Sequence, residues 1–242
     1  MKTTVKGGPP KIRPNEPSRA ETDREPLPSG ILCPSQIPHG ERIIMTEATT
    51  GIRIVTLLGT PRAGNFTGKA LDLVHDELRR SGVGVETFDP AQMSLGFPGE
   101  DPTEDAKRMQ DSVKSASGLV LATPEYHGSF SSMLKLMIEN LGFPSAMGGK
   151  PVALLGVASG RIGAIKSLEQ LRGVCSHVGA IVLPGPVSLA GVNKLFDEAG
   201  KCLDESTEKI VRGVATNLMG YLHQNVCPRM ALEALVRNQS AT

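Results

Sequence analysis

Residues 52–67 read IRIVTLLGTPRAGNFT, and this stretch decides the fold. The apolar run Ile52–Leu58 has the composition of a buried strand, which Gly59-Thr60-Pro61 ends. A helix is predicted to begin at Thr67. The loop before it then presents free backbone N–H groups at a helix N-terminus, where the helix dipole favours an anion. The stretch therefore predicts a strand–loop–helix unit with an anion site in its loop.

The side chains of this first loop suit either of two roles. Thr60, Asn65 and Thr67 can all form hydrogen bonds, and the Arg62 guanidinium can bind a phosphate through two parallel donors. The alternative is that the loop is only a polar helix cap, a role that suits Thr67. The loop by itself leaves both roles open.

Strands and helices alternate along the whole chain from residue 51. Apolar runs predict five strands, at Ile52–Leu58, Val83–Phe88, Leu119–Ala122, Pro151–Val157 and Ala180–Leu183. Helical spacing predicts five helices, at Thr67–Arg80, Thr103–Ser115, Ser131–Leu141, Gly163–His177 and Asp204–Leu222. This alternation is typical of an α/β fold, a parallel sheet with helices on both faces. Ligands of such sheets bind beyond the carboxyl ends of the strands.

The second loop at that edge is Thr123-Pro124-Glu125-Tyr126-His127-Gly128-Ser129. Gly128 permits a left-handed turn, and a β-carbon there is predicted to point into the space of a flat ligand. Either Ser129 or Ser131 is expected to cap the next helix. His127 is interpreted mainly as a turn residue facing solvent, with proton chemistry as the alternative.

The third loop, Ala158–Ala164, also joins a strand to a helix. Its glycines, Gly160 and Gly163, are predicted to leave room for a ring system against the backbone. Arg161 either meets a phosphate or stands in water. Three loops of this kind at one sheet edge indicate a ligand site more strongly than any one of them.

The two ends of the chain differ from its middle. Residues 1–50 are rich in proline and have neither helical nor strand periodicity, so they predict a poorly packed N-terminal arm. Residues 51–223 are expected to form one domain, and residues 224–242 a C-terminal tail. Two alternatives for the arm remain open: translation begins instead at Met45, or the arm wraps a partner subunit.

Composition excludes several classes of function. The net charge is +1 and the chain has no Trp and two Tyr, so neither a basic face nor stacking platforms for nucleic acid are expected. No apolar run is long enough to predict a membrane span. The four cysteines are widely spaced, which favours reduced thiols in the cytoplasm over a metal site.

Two nucleotide-binding motifs fail at specific residues. Gly68-Lys69 has the form of a P-loop ending, but Ala70 stands where Ser or Thr would hold magnesium. No Gly-x-Gly-x-x-Gly follows the first strand, so a dinucleotide Rossmann site is not predicted.

The first and second loops carry a resemblance to a known family. From about Ile52 to His223 the chain resembles the NADPH-dependent FMN reductases, a family that includes flavodoxin-like quinone, azo-dye, chromate and ferric reductases. Segment 59–67 is similar to the family's Gly-Ser-x-Arg-x-x-Ser-x-Asn. Segment 123–129 matches its Pro-Glu-Tyr-Asn/His-Gly-Ser nearly completely, and segment 158–164 looks like its ring-contacting loop.

The resemblance implies a flavodoxin-like fold with strand order 2-1-3-4-5, bound FMN, and NADPH or NADH as electron donor. It implies a homodimer or homotetramer built partly through the helix after the second loop. The implied reaction is ping-pong hydride transfer to FMN and then to a small acceptor: a quinone, free flavin, azo dye, chromate or ferric chelate. No side chain need act as a catalyst. The residues implied to bind the cofactor are Thr60, Arg62, Asn65, Thr67, Pro124, Glu125, Tyr126, His127, Gly128, Ser129, Ser159, Gly160 and Arg161.

Two alternatives from other classes remain. A flavodoxin-type electron carrier would bind FMN without oxidising NADPH, but such carriers are usually acidic and sandwich the ring between aromatics. The net charge of +1 argues against that alternative. A scaffold or sensor without FMN would retain the fold alone, and the intact second loop argues against it.

Overall fold

A computed structural model gives the fold of residues 51–240. The predicted arm at 1–50 and the alternative start at Met45 lie outside these described residues. The strands are β1 (Arg53–Leu58), β2 (Gly84–Phe88), β3 (Gly118–Tyr126), β4 (Ser129–Phe130), β5 (Pro151–Val157), β6 (Ile181–Val182) and β7 (Val187–Leu189). The α-helices are α1 (Phe66–Arg80), α2 (Glu104–Ser115), α3 (Ser132–Glu139), α4 (Ile165–His177), α5 (Glu205–Tyr221) and α6 (Cys227–Ser240).

The sheet is a parallel one with the strand order β2-β1-β3-β5-β6. Counted over the five strands expected from the sequence, this is the predicted order 2-1-3-4-5, which is confirmed. β1 pairs in parallel with β2 on one side and with β3 on the other. The switch point between them places the N-terminus of α1 at the carboxyl edge of the sheet.

Helices cover both faces of the sheet, as predicted. Because side chains alternate along a strand, Ile54 faces the core beneath α1 and α5, whereas Val55 faces the core beneath α2, α3 and α4. Both faces of the central strands are therefore buried, which explains why these strands read as apolar runs. Within residues 51–240, no helix is long and apolar enough to cross a membrane.

The third strand extends further than the sequence predicts. The expected end at Ala122 is wrong, because β3 continues through Thr123 and Pro124 to Tyr126. Its last two residues form an antiparallel hairpin with β4, in which Glu125 lies opposite Phe130 and Tyr126 opposite Ser129. Pro124 suggested that the strand ends there, but pairing with β4 extends the strand beyond Pro124.

The fifth predicted strand is shorter than expected, and two short strands, β6 and β7, share the edge beside β5. β6 contains only Ile181 and Val182, paired with the start of β5. Residues 184–186, Pro-Gly-Pro, interrupt it, because proline cannot donate a ladder hydrogen bond. β7 then pairs with the other end of β5, from Leu155 to Val157.

The last helix does not end at Leu222 as predicted. A π-helical turn, Leu222–Val226, continues α5 directly into α6, so residues within the predicted tail 224–242 are helical up to Ser240. Pro228 occupies the second position of α6. Because α5 and α6 form one continuous helix, Pro228 removes one helical hydrogen bond, and the irregular π-helical turn lies directly before it.

Candidate active site

The first loop is organised by Asn65, which caps α1. The Gly68 N–H donates to the Asn65 side-chain oxygen at 2.6 Å, and the Asn65 amide nitrogen donates to the Arg62 carbonyl oxygen at 2.6 Å. Thr67, which the sequence suggested as the cap, is a buried residue inside the first turn. The cap is therefore present, but the assignment of that role to Thr67 is wrong.

The same loop leaves a row of backbone donors without partners. In the described part of the chain, the N–H groups of residues 63–67 donate no hydrogen bond to a protein acceptor. The N–H of the preceding residue, Arg62, does have a partner: it donates to the buried Thr60 hydroxyl at 3.4 Å. Five successive free N–H groups at a helix N-terminus form an anion-binding concavity.

A cleft of about 220 Å³ adjoins these donors at the carboxyl edge of the sheet. Its wall includes seven of the residues predicted from sequence: Arg62, Asn65, Thr67, Pro124, Glu125, Tyr126 and Ser159. Six predicted residues are not part of that wall: Thr60, His127, Gly128, Ser129, Gly160 and Arg161. Six more residues line it without having been predicted: Ala63, Gly64, Phe66, Val157, Ala158 and Val192.

The β3–β4 hairpin closes through a two-residue turn formed by His127 and Gly128. Both residues have positive φ, 51° and 75°, as a type I′ turn requires. The predicted left-handed conformation of Gly128 is therefore confirmed. A β-carbon on Gly128 would lie 3.6 Å from Lys166 Cδ, on α4. His127 is exposed.

Hydrogen bonds join this hairpin to α4. The Ser167 N–H donates to the Glu125 carboxylate at 3.1 Å, which serves the first turn of a helix that has no side-chain cap of its own. The Ser129 hydroxyl donates to the Gln170 side-chain oxygen at 2.7 Å, and the Gln170 amide donates to the Gly128 carbonyl at 3.0 Å. The second and third loops are thus held as one unit.

Ser131 connects the hairpin to the first loop. Its hydroxyl accepts from the Leu134 N–H at 3.1 Å, so Ser131 rather than Ser129 caps α3. The same hydroxyl donates to the Gly59 carbonyl oxygen. Gly59 is required there, because a β-carbon would lie 2.7 Å from the Ala122 carbonyl oxygen.

The third loop packs against β7 as well as against the cleft. Gly163 has φ of 80°, and a β-carbon there would lie 2.6 Å from the Ser188 hydroxyl oxygen. The same hydroxyl accepts from the Ala164 N–H at 2.8 Å. The prediction that Gly163 leaves room for a ring is therefore wrong, since its small size serves the packing of β7. At Gly160 a β-carbon would meet no atom within 4 Å.

The comparisons with known proteins agree with this geometry. The profile of the NADPH-dependent FMN reductase family matches residues 52–194, more than half of the chain. The chain belongs to that family. As a member it is an oxidoreductase that uses FMN and NAD(P)H.

Relatives of this chain have several names. It is 31% identical to an NADPH azoreductase from Bacillus sp. (strain OY1-2) over 175 residues, which is 71% of this chain and 93% of the relative. It is 28% identical to the quinone reductase of Escherichia coli (strain K12) over 178 residues, 68% and 92% of the two chains. FerB, a flavoenzyme NAD(P)H:(acceptor) oxidoreductase from Paracoccus denitrificans, shares the fold with a TM-score of 0.62 and 20% identity, covering 72% of this chain and 98% of FerB.

The residues of this FMN reductase fit the flavin phosphate. Residues 63–67, whose N–H groups are free, line the cleft together with the exposed Arg62, so donors and positive charge lie near each other. Burial raises the pKa of the Cys175 thiol to about 12, which leaves it protonated and inert at neutral pH.

A second, larger groove lies at the opposite end of the helices. It has a volume of about 660 Å³, and residues of α2, α3 and α4 line it together with the loop 96–102. Phe97 and Phe143, both in its wall, are 71% and 101% exposed. Solvent-exposed aromatic side chains beside an apolar groove are typical of an interaction surface.

Proposed function

We propose that this FMN reductase is an NAD(P)H:acceptor oxidoreductase that works by a ping-pong cycle at one site. The donor nucleotide binds, reduces the flavin and leaves, and a small acceptor then takes its place. The acceptor classes are quinones, free flavins, azo dyes, chromate and ferric chelates. The observation that carries the proposal is the row of free N–H groups at the N-terminus of α1, in residues that line one cleft together with residues of the two other loops.

The chain's own residues bind and orient rather than react. The N–H groups of residues 63–67 and the Arg62 guanidinium hold the phosphate. Phe66 and Val192 provide apolar contacts inside the cleft. Backbone of residues 124–126 and Ser159 lines the cleft where it would contact the flavin ring, and that ring would supply the hydride and electron-transfer chemistry. Backbone N–H groups at that edge would stabilise negative charge on the reduced cofactor.

Of the remaining predicted residues, most act through these contacts. Thr60 orders the first loop through the Arg62 N–H, and His127, Gly128 and Ser129 set the shape of the hairpin. Gly160 and Arg161 lie next to Ser159 in the third loop, and we propose that they contact the donor or the acceptor. We therefore retain them in the site as residues outside the cleft wall.

We also propose self-association as a homodimer or homotetramer through the α3 face. The cleft, at about 220 Å³, is smaller than the pockets that usually enclose a whole cofactor, so much of the ring would lie at its mouth. The exposed Phe143 follows α3 and borders the larger groove. Light scattering of the wild type and of Phe143→Asp checks this: a dimer or tetramer that dissociates in the variant supports it, and a wild-type monomer contradicts it.

The reaction is tested with purified protein reconstituted with FMN. Anaerobic mixing with NADPH or NADH should bleach the flavin absorbance, and each acceptor in turn should restore it. Steady-state rates at several acceptor concentrations should give parallel double-reciprocal lines. A flavin that binds but is not bleached by either nucleotide would favour the electron carrier instead. Protein that binds no FMN would favour the scaffold.

A further inference from the structure

Val192 lines the cleft in addition to the three loops. It belongs to a segment in which the sequence shows no motif. We call residues 190–203 the wall segment. It contains a short 3₁₀ helix, Val192–Lys194, and a compact turn in which the Asp197 N–H donates to the Lys201 carbonyl at 3.0 Å. Phe196 and Cys202 pair across that turn.

The far end of the wall segment is fastened to α1 by Lys69. The Lys69 ammonium donates to the Asp197 carbonyl at 2.6 Å and lies 3.4 Å from the Glu198 carbonyl. It also lies 5.4 Å from the centre of the Phe66 ring, which in turn contacts the Phe196 ring at 6.5 Å between centroids. A charged donor strengthens these bonds compared with neutral ones.

The near end of the wall segment is fastened to the third loop. The Gly191 N–H donates to the Gly160 carbonyl at 3.1 Å, and the Val192 N–H donates to the Ala158 carbonyl at 3.1 Å. The wall segment thus connects α1, whose N-terminus is the proposed phosphate site, with the third loop, which is proposed to contact the flavin ring. Within the described residues, Lys69 makes the only side-chain hydrogen bonds between α1 and the wall segment.

We propose that Lys69 is a positioning residue for the flavin site, an inference that rests on the proposed function. By holding the wall segment on α1, it keeps Val192 in the cleft wall and Phe66 beside it, without touching the cofactor itself. The residue that gives the sequence its P-loop appearance therefore binds protein carbonyls instead of a nucleotide phosphate.

The test compares Lys69→Met, which retains the aliphatic stem, with Lys69→Arg, which retains the charge and donors. Lys209→Met, an exposed lysine on α5 without a described partner, is the matched control. Flavin fluorescence quenching on apo-protein gives the Kd for FMN. We expect Lys69→Met to raise that Kd about 10-fold, the scale of a lost charged hydrogen bond, Lys69→Arg to restore most of it, and Lys209→Met to leave it unchanged.

Trypsin digestion of the same apo-proteins reports on the wall segment directly. Lys194 and Lys201 are exposed in it, so its release in Lys69→Met should speed cleavage after them several-fold. A wild-type Kd in Lys69→Met, or a lower melting temperature with no change in Kd, would overturn the proposal. Failure of the wild type to bind FMN would overturn the proposed function instead, and unchanged trypsin rates would then separately overturn the anchoring role.

Discussion

The two ends of the cleft are built in different ways. At the end that we propose for the phosphate, the free N–H groups belong to consecutive residues, 63–67, and one short-range cap at Asn65 orders the loop. At the ring end, the β3–β4 hairpin is held by residues of α4 about 40 positions away, such as Gln170, whose bond to Ser129 spans 41 residues. The phosphate end is therefore a local structure, whereas the ring end exists only once the sheet and α4 have assembled. Substitutions at the two ends should differ in what they damage.

The largest effect is expected at Gly59, where the two ends meet. In Gly59→Ala the β-carbon would lie 2.7 Å from the Ala122 carbonyl oxygen, which is backbone and cannot move aside cheaply. We expect a loss of about 1–3 kcal/mol in the free energy of unfolding, together with weaker FMN binding. Urea unfolding of apo-protein measures the first quantity.

Gly213→Ala is the matched control for that substitution. Gly213 lies in α5, and a β-carbon there would meet no atom within 4 Å. Because alanine is the better helix former, this variant should be more stable by about 0.5–1 kcal/mol. If both glycine variants shifted stability in the same direction, the close approach at Gly59 would not be the cause.

The next prediction compares backbone strain at a glycine of the hairpin with the same strain at a glycine outside the site. Gly128 and Gly82 have nearly the same φ, 75° and 72°, but only Gly128 belongs to the ring end. Valine at either position should lower the free energy of unfolding by about 1–2 kcal/mol. Only Gly128→Val should also raise the Kd for FMN. Equal FMN binding by both variants would mean that the hairpin does not shape the site.

A smaller effect is expected where the hairpin meets α4. Gln170→Leu removes the two hydrogen bonds to Gly128 and Ser129, which are exposed and so contribute at the low end of about 0.5–1.5 kcal/mol each. The Kd for FMN should rise about 3-fold. Glu169→Leu, at the exposed neighbouring position, should leave it unchanged. An unchanged Kd in Gln170→Leu would show that the hairpin needs no support from α4.

The smallest effect is expected from the N-terminal arm. The described cleft is lined only by residues between Arg62 and Val192, and the core beneath it begins at Ile52. Deleting residues 1–44 should therefore leave the far-ultraviolet circular dichroism and the Kd for FMN unchanged. A truncated protein that is insoluble or loses flavin would assign a structural role to the arm.

The same contrast explains how much the sequence could reveal. The alternation of strands and helices followed from apolar runs, and the candidate anion loop from residues adjacent in sequence, because both are local patterns. The strand order came from the resemblance to the family. The sequence pattern does not indicate the roles of Val192, Gln170 and Lys69, because each acts through contacts with residues far away in the chain. At Gly163 the sequence carries a signal that was misinterpreted. Its small size was interpreted as space for a ring, but the neighbour that needs the space is Ser188.

The most direct test of the account compares the affinity of apo-protein for FMN with its affinity for riboflavin, which lacks the phosphate. If the N–H groups of residues 63–67 bind that phosphate, FMN should bind about 10- to 100-fold more tightly. Arg62→Ala should then weaken the binding of FMN and leave that of riboflavin nearly unchanged. Equal affinities for the two flavins in the wild type would contradict the central claim, that the N-terminus of α1 is the phosphate site.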